Sequence, residues 1–219
     1  MATYLITGVN RGIGEELCKQ VHSKDHTVIA VCRQSSQELD HLGVRVETGI
    51  DITSEQDVAS LVNRLQGVKL DVLINNAGIV ERHSLDNLDF DSIRKQFEIN
   101  ALGTLRLTHA LLPLMESGGK IAIITSRMAS IDDNTSGGSY GYRMSKVAVS
   151  MAGKSLSIDL KPKGIAVAIL HPGLVSTRMT NFNGISPAEA AENLLARINE
   201  LNLENTGTFW HAKGEVLPW

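Results

Sequence analysis

Six short apolar runs punctuate the chain: Ala2 to Ile6, Thr27 to Cys32, Val44 to Thr48, Leu70 to Ile74, Lys120 to Thr125 and Ile165 to Leu170. Continuous runs of this kind, rather than strict alternation, suit strands buried on both faces. Between them the apolar positions fall at helical spacing. Ile13, Leu17 and Val21 recur at four-residue steps, and Leu194, Leu195, Ile198 and Leu201 form a comparable stripe behind the start signal Ser186-Pro187. A longer helical stretch between Asp91 and Met115 carries Asn100 and is interrupted or ended near Pro113. Alternating strands and helices predict an α/β fold: a Rossmann-like, doubly wound parallel sheet of about seven strands, flanked on both faces by helices through right-handed crossovers. No repeat, low-complexity tract or linker divides the 219 residues, so residues 1–219 are expected to form a single domain.

Charge removes some partners from this picture. The net charge of −3 is scattered, with no Lys/Arg run, so neither nucleic acid nor an anionic membrane is an expected partner. No stretch approaches the roughly 18 unbroken apolar residues of a membrane span, and the beginning Met1-Ala2-Thr3-Tyr4-Leu5-Ile6-Thr7-Gly8 lacks signal-peptide regions. The two cysteines, Cys18 and Cys32, and the seven histidines show no metal-ligand spacing. A cytoplasmic, disulfide-free and metal-free protein is the expectation.

The candidate chemistry lies where strands end. The first strand leads into Thr7-Gly8-Val9-Asn10-Arg11-Gly12-Ile13-Gly14, a G-x-x-x-G-x-G turn that opens a helix. Glycines there let a pyrophosphate approach the backbone over the helix N-terminus, where free N–H groups favour anions. The alternative is a glycine-rich turn without a ligand. After the second strand comes Arg33, with no acid between Val28 and Gln37. An acid at this place holds the ribose hydroxyls of NAD, whereas an arginine accommodates the 2′-phosphate of NADP. Arg33, with Arg11 as a second clamp, therefore favours NADP(H), with NAD(H) as the alternative. Asp51-Ile52 follows the third strand and Asn75-Asn76-Ala77-Gly78 the fourth. Asp51 is read either as an acceptor for an adenine amino group or as an N-cap. Asn76 to Gly78 are read as backbone packing against the adenosine ribose or as a plain turn, and Asn75 as a tie between loops and sheet. Tyr142-Arg143-Met144-Ser145-Lys146 sets a phenol and an ammonium four residues apart, on one face of a helix.

Together, Thr7-Gly8-x-x-x-Gly12-x-Gly14, Asn75-Asn76-Ala77-Gly78, Asn100, Ser126, Tyr142-x-x-x-Lys146 and Pro172-Gly173 resemble the short-chain dehydrogenase/reductase family in identity, order and spacing. The closest look is to its small Sniffer-type and C-factor-like carbonyl reductases. The resemblance implies an NAD(P)-binding domain with Ser126, Tyr142, Lys146 and Asn100 as the active constellation. It also implies a small-molecule carbonyl or alcohol substrate and an association into homo-oligomers. Pro172, Gly173 and Val175 would then contact the nicotinamide ring, and Thr177 its carboxamide or the pyrophosphate. Tyr142 would give a proton to the oxygen left by hydride transfer, and Ser126 would orient the carbonyl. Lys146 would bind the nicotinamide ribose, while the main chain of Asn100 holds a water linking that lysine to solvent.

A free phenol has a pKa of about 10, and lowering it by three units takes roughly 4 kcal/mol. A lysine about 5 Å away, at an effective dielectric of ~20, supplies roughly 3 kcal/mol, so Lys146 is expected to do most of the tuning. Tyr140 has Met144 at the lysine position and is set aside. Ser126 is preferred as the serine because it follows the fifth strand directly, with Ser130 as the fallback and Thr125 as structural. His171 reads as a packed or exposed loop residue. The short stretch Arg178 to Ile185 leaves either an open substrate site or a compact connection. The aromatic tail, Phe209-Trp210 and Pro218-Trp219, either closes the core edge or borders the pocket. A non-catalytic regulatory or signalling protein on the same fold is the competing reading of function, and a lyase or epimerase with a tightly held nicotinamide is a third.

Overall fold

The structure is a computed structural model describing residues 1–219. Its strands are β1 (Thr3–Thr7), β2 (Thr27–Val31), β3 (Arg45–Glu47), β4 (Leu70–Asn75), β5 (Met115–Ile124), β6 (Ala166–His171) and β7 (Phe209–His211). They form one sheet in the order β3-β2-β1-β4-β5-β6-β7, parallel throughout. Strand order reverses between β1 and β4, and the crevice beyond the strand ends at such a point is where ligands bind in open α/β sheets.

Successive strand residues point to opposite faces, so each continuous apolar run feeds two cores. On one face Ile6, Ala30 and Ile74 pack with Leu17, Cys18 and Val21 of α1 (Gly12–His22) and Leu194, Leu195 and Ile198 of α7 (Pro187–Glu200). On the other, Leu5, Ile29 and Leu73 pack with α3 (Glu55–Arg64), α5 (Thr104–Leu111) and α6 (Tyr140–Leu160). Each fully buried Leu, Ile or Val contributes roughly 1.5–3 kcal/mol. The short α2 (Gln37–His41) adds Leu39 to the first core.

Two expected elements take a fuller form. The fifth strand begins earlier than its apolar run: Met115 pairs with Leu70, and an irregularity before Val72 absorbs the Ser117-Gly118-Gly119 segment. The seventh strand, which no apolar run marks, is three residues of the aromatic tail. Phe209 is buried, its carbonyl accepts the Leu217 N–H at 2.8 Å, and Trp219 lies 5.4 Å from its ring, so the tail closes the core edge.

The long helical stretch is three pieces: α4 (Phe90–Phe97), a π-helical turn (Glu98–Gly103) and α5, with Pro113 in a closing 3-10 turn. The π turn changes the backbone hydrogen-bond register at Asn100, a device found often at functional sites. Helix α6 can approach β5 and β6 closely because Gly153 faces them. A Cβ there would lie 2.8 Å from Ile169 Cγ1 and 3.0 Å from Ile123 Cδ1. That contact fixes the height at which α6 presents Tyr142 and Lys146.

Candidate active site

The turn after β1 is built by exclusion of side chains. Gly8 and Gly12 hold φ of +68° and +62°, the left-handed region that glycine adopts without strain. A Cβ on Gly14 would sit 2.2 Å from the Gly8 carbonyl and 2.6 Å from Asn76 Nδ2. Arg11 precedes α1 in an extended conformation and caps no N–H group with its side chain, so the first turn of the helix keeps its unpaired donors and positive dipole end. Asn10 and Ile13 sit half-buried in the same turn. The Asn76 amide donates to the carbonyls of Thr7 and Gly8 at 3.0 and 3.1 Å, and Thr7 Oγ1 accepts from the N–H groups of Asn76 and Ala77, both at 3.0 Å. Asn76, rather than Asn75, therefore ties the glycine turn to β4. Asn75 instead reaches α5, donating to Thr108 Oγ1 at 3.0 Å, because its side chain leaves the sheet on the face that α5 covers.

At the outer end, Arg33 is exposed and meets only Asp51, at 4.0 Å. Burial pushes the Asp51 carboxyl up, but bonds from the Thr53 N–H and hydroxyl and the Arg33 charge bring it below the usual range. Asp51 is not a helix N-cap; Ser54 caps α3. The Ile52 carbonyl accepts from Arg106 at 3.2 Å. This cradle fits a dinucleotide. The first turn of α1 keeps unpaired N–H donors, and two guanidiniums are at hand, Arg11 in the glycine turn and the exposed Arg33 beyond β2.

Tyr142 and Lys146 are both buried on one face of α6. Lys146 Nζ donates to the Ile124 carbonyl at 2.9 Å and stands 5.9 Å from the Tyr142 ring centroid. Gly78 packs beside both this ammonium and Asn100: a Cβ there would press on Asn100 Oδ1 at 3.1 Å and touch Nζ at 3.4 Å. The Asn100 side chain is fully engaged: Oδ1 accepts the Ile79 N–H at 2.8 Å, and Nδ2 donates to the Ile79 carbonyl and Ser145 Oγ, both at 2.9 Å. It joins the segment after β4 to α6.

Three hydroxyls follow the end of β5. Thr125 bonds to the Lys146 carbonyl at 3.2 Å and to Ser150 at 2.9 Å. Ser130 is spent on the Trp219 carbonyl and the Asp133 N–H. Ser126, whose Oγ accepts the Met128 N–H at 3.1 Å, is the one that lines the same cleft as Tyr142. Burial raises the phenol above its ordinary pKa, while the nearby Ser126 hydroxyl and the charge of Arg82 pull it down. The expectation that Lys146 does this tuning is corrected. Its ammonium is turned toward the Ile124 carbonyl, and burial lowers its own pKa to about 8. Tyr140, 37% exposed, faces away from this cluster.

Tyr142 and Ser126 open into a cleft of about 270 Å3 that also reaches Ile13 of the glycine turn. Pro172, Gly173, Val175 and Thr177 form its floor. A Cβ on Gly12 would lie 3.3 Å from Thr177 Cγ2, so the loop after β6 meets the glycine turn directly. The segment beyond it is a compact connection: Ser176 N–H donates to Ile185 O at 2.8 Å and Ile185 N–H to Leu174 O at 2.9 Å. His171 packs edge-on against His211 with ring centroids 5.0 Å apart. Burial, with the neighbouring His211 and Arg127 charges, depresses its pKa to about 3, so it is neutral.

The family model for short chain dehydrogenases matches residues 2–186, which carry this whole arrangement through the loop after β6. The chain belongs to the short-chain dehydrogenase family. It is 42% identical over 226 residues to the 1-hydroxy-2-glutathionyl-2-methyl-3-butene dehydrogenase of Rhodococcus sp. (strain AD45), covering all of both chains. Among solved structures it is similar to the carbonyl reductase Sniffer of D. melanogaster, with a TM-score of 0.90, 29% identity and full coverage of both chains. The NADPH-bound carbonyl reductase from chicken fatty liver gives a TM-score of 0.90 at 27% identity, over 100% of this chain and 99% of that one.

Three features of this short-chain dehydrogenase have no counterpart in the motif reading. Val80 and Arg82, beyond the Asn-Asn-Ala-Gly turn, and Met179, in a 3-10 turn, form the mouth of the cleft. Arg82 Nη1 donates to the Met179 carbonyl at 3.3 Å and so spans the mouth. The signal for this contact is absent from local sequence, since the two residues are 97 apart.

Proposed function

We propose that this chain is an NADP(H)-dependent oxidoreductase interconverting a carbonyl, whether aldehyde, ketone or quinone, with its alcohol. The observation that carries the reading is the buried Tyr142 phenol, lining with Ser126 the cleft that the glycine turn also reaches through Ile13. When bound, the dihydronicotinamide supplies a hydride to the carbonyl carbon. Tyr142 gives its proton to the carbonyl oxygen in reduction and takes one back in oxidation. Burial keeps it protonated near neutrality, the form a proton donor needs. Ser126 donates to the same oxygen and orients it. Lys146 swings from the Ile124 carbonyl to hold the ribose, and the Asn100 main chain is left for a water because its side chain is spent. Arg33 and Arg11 take the 2′-phosphate, in keeping with the NADPH-bound state of the chicken enzyme. The free buried cysteines suit the cytoplasm, and no helix is long and apolar enough to cross a membrane.

Intact Tyr142, Lys146, Ser126 and Asn100 favour an enzyme over a regulatory protein on the same fold. The test pairs two phenols of α6. With NADPH and a panel of aldehydes, ketones and quinones, Tyr142→Phe is expected to lose roughly 100- to 10,000-fold in turnover, the range of a lost general acid, while Tyr140→Phe keeps wild-type turnover. Equal turnover by Tyr142→Phe and wild type would remove the proton donor. Faster use of NADH than of NADPH would remove the role given to Arg33.

A further inference from the structure

The cleft mouth has a charge pattern that carbonyl reduction alone does not require. No carboxylate lines the cleft, whereas two guanidiniums do, those of Arg82 and Arg127. They are not equivalent. Arg127 is paired with Asp133 at 2.6 Å and Glu215 at 3.5 Å, so its charge is compensated on the outer side. Arg82 joins no ion pair. The neighbouring Glu81 is committed to Lys95 at 2.9 Å and to Ser92 at 2.7 Å. The single hydrogen bond of Arg82, to the Met179 carbonyl, fixes the guanidinium across the opening and leaves its other donors free.

The cleft that holds this cation and Tyr142 is also lined by the apolar side chains of Val80, Met128, Leu174 and Met179. A cation with free donors, in one cleft with the hydrogen-bonding groups of Tyr142 and Ser126, suits a ligand that carries an anionic group away from its carbonyl. A planar fork of N–H donors matches a carboxylate with two parallel bonds. We infer that Arg82 is a specificity-determining residue that selects carbonyl substrates bearing a carboxylate remote from the reacting carbon. This rests on the carbonyl-reduction reading for its substrate, though not for the anion site itself.

The same arginine lies close enough for its charge to act on the Tyr142 phenol. Replacing it will therefore alter turnover of every substrate, and only a ratio isolates recognition. The experiment measures kcat/KM with NADPH for 4-formylbenzoate and its methyl ester, which share the reacting aldehyde and differ by one charge. Wild type is expected to favour the acid by roughly 10-fold or more, chiefly through KM, the scale of a hydrogen bond to a charged group. Arg82→Gln is expected to bring the ratio near unity, and Arg82→Lys to restore part of it. A wild-type ratio at or below one, or a ratio unchanged in Arg82→Gln, overturns the inference.

Calorimetric binding of benzoate against benzamide, with wild type and Arg82→Gln, needs no turnover. Benzoate bound more tightly than benzamide by wild type alone supports the anion site even where no carbonyl is reduced. Equal binding of the two by wild type, or benzoate binding unaffected by the substitution, refutes the site. Carbonyl reduction without any acid preference would thus sink the inference and spare the proposed reaction.

Discussion

The cofactor cradle and the cleft mouth lie on either side of Tyr142 and are built by opposite means. In the cradle, specificity comes from side chains that are missing: Gly8, Gly12 and Gly14 each stand where a Cβ is strained or collides with backbone. The Thr7 and Gly8 carbonyls are held by the Asn76 amide, and the Asn76 and Ala77 N–H groups by the Thr7 hydroxyl. At the mouth, specificity comes from side chains that are present and half free. Leu174 is 60% exposed, and Arg82 is held by one long bond to a carbonyl. A surface made of locked backbone suits a ligand that does not vary. A surface made of loosely held side chains can change its ligand by single substitutions while the cradle stays as it is.

The largest effect should come where the two regions meet. Ser126→Ala removes the hydroxyl that lines the cleft with the phenol and is expected to cost roughly 100- to 1000-fold in kcat for carbonyl reduction, the scale of losing one donor to a developing oxyanion. A loss under tenfold in steady-state kinetics would place the orienting hydroxyl elsewhere. Within the cradle, Gly14→Ala forces a Cβ toward the Gly8 carbonyl at 2.2 Å, and backbone cannot yield as a flexible side chain does. We expect about 1–3 kcal/mol of destabilisation by denaturant unfolding, the cost of overpacking, together with weaker NADPH binding by fluorescence titration. Wild-type values for both would show that the cradle is less rigid than its contacts imply.

The effect smallest near neutrality is a pH dependence under the floor of the cleft. His171 resists protonation until about pH 3 in the folded chain, against an ordinary 6.5. Between those values the unfolded chain binds the proton that the folded chain refuses, so stability falls as pH falls, by up to about 1.4 kcal/mol per pH unit from this group. His171→Gln should flatten the acid side of a stability curve measured by urea unfolding. An unchanged acid slope would mean that the ring protonates freely in the fold.

The same contrast explains what could be read from the chain alone. Strands β1, β2, β4 and β6 and the glycine turn were legible because burial on both faces and the exclusion of Cβ atoms restrict residue type position by position. β7 was not, since a three-residue edge strand is too short to show a run. Spacing put Lys146 beside Tyr142 but could not say where a long, rotatable ammonium points. Its choice of the Ile124 carbonyl depends on a strand end 22 residues earlier. Among the serines, Ser126 could be preferred from its place after β5, while the occupation of Ser130 by Trp219 became visible only once the tail had folded back. Arg82 sits in an ordinary Glu-Arg-His loop and acquires meaning only from Met179 across the opening.

The central claim is that hydride passes from a nicotinamide to a carbonyl carbon in the cleft where Tyr142 waits with the proton. Its most direct test supplies wild-type protein with NADPH deuterated at the transferable position and a panel of aldehydes, ketones and quinones, then locates the label in the product by mass spectrometry. The account predicts that each aldehyde or ketone turned over yields an alcohol carrying one deuterium on the former carbonyl carbon for each NADPH consumed. NADPH that binds yet is consumed with none of these carbonyls, or an alcohol formed without the label, would contradict it.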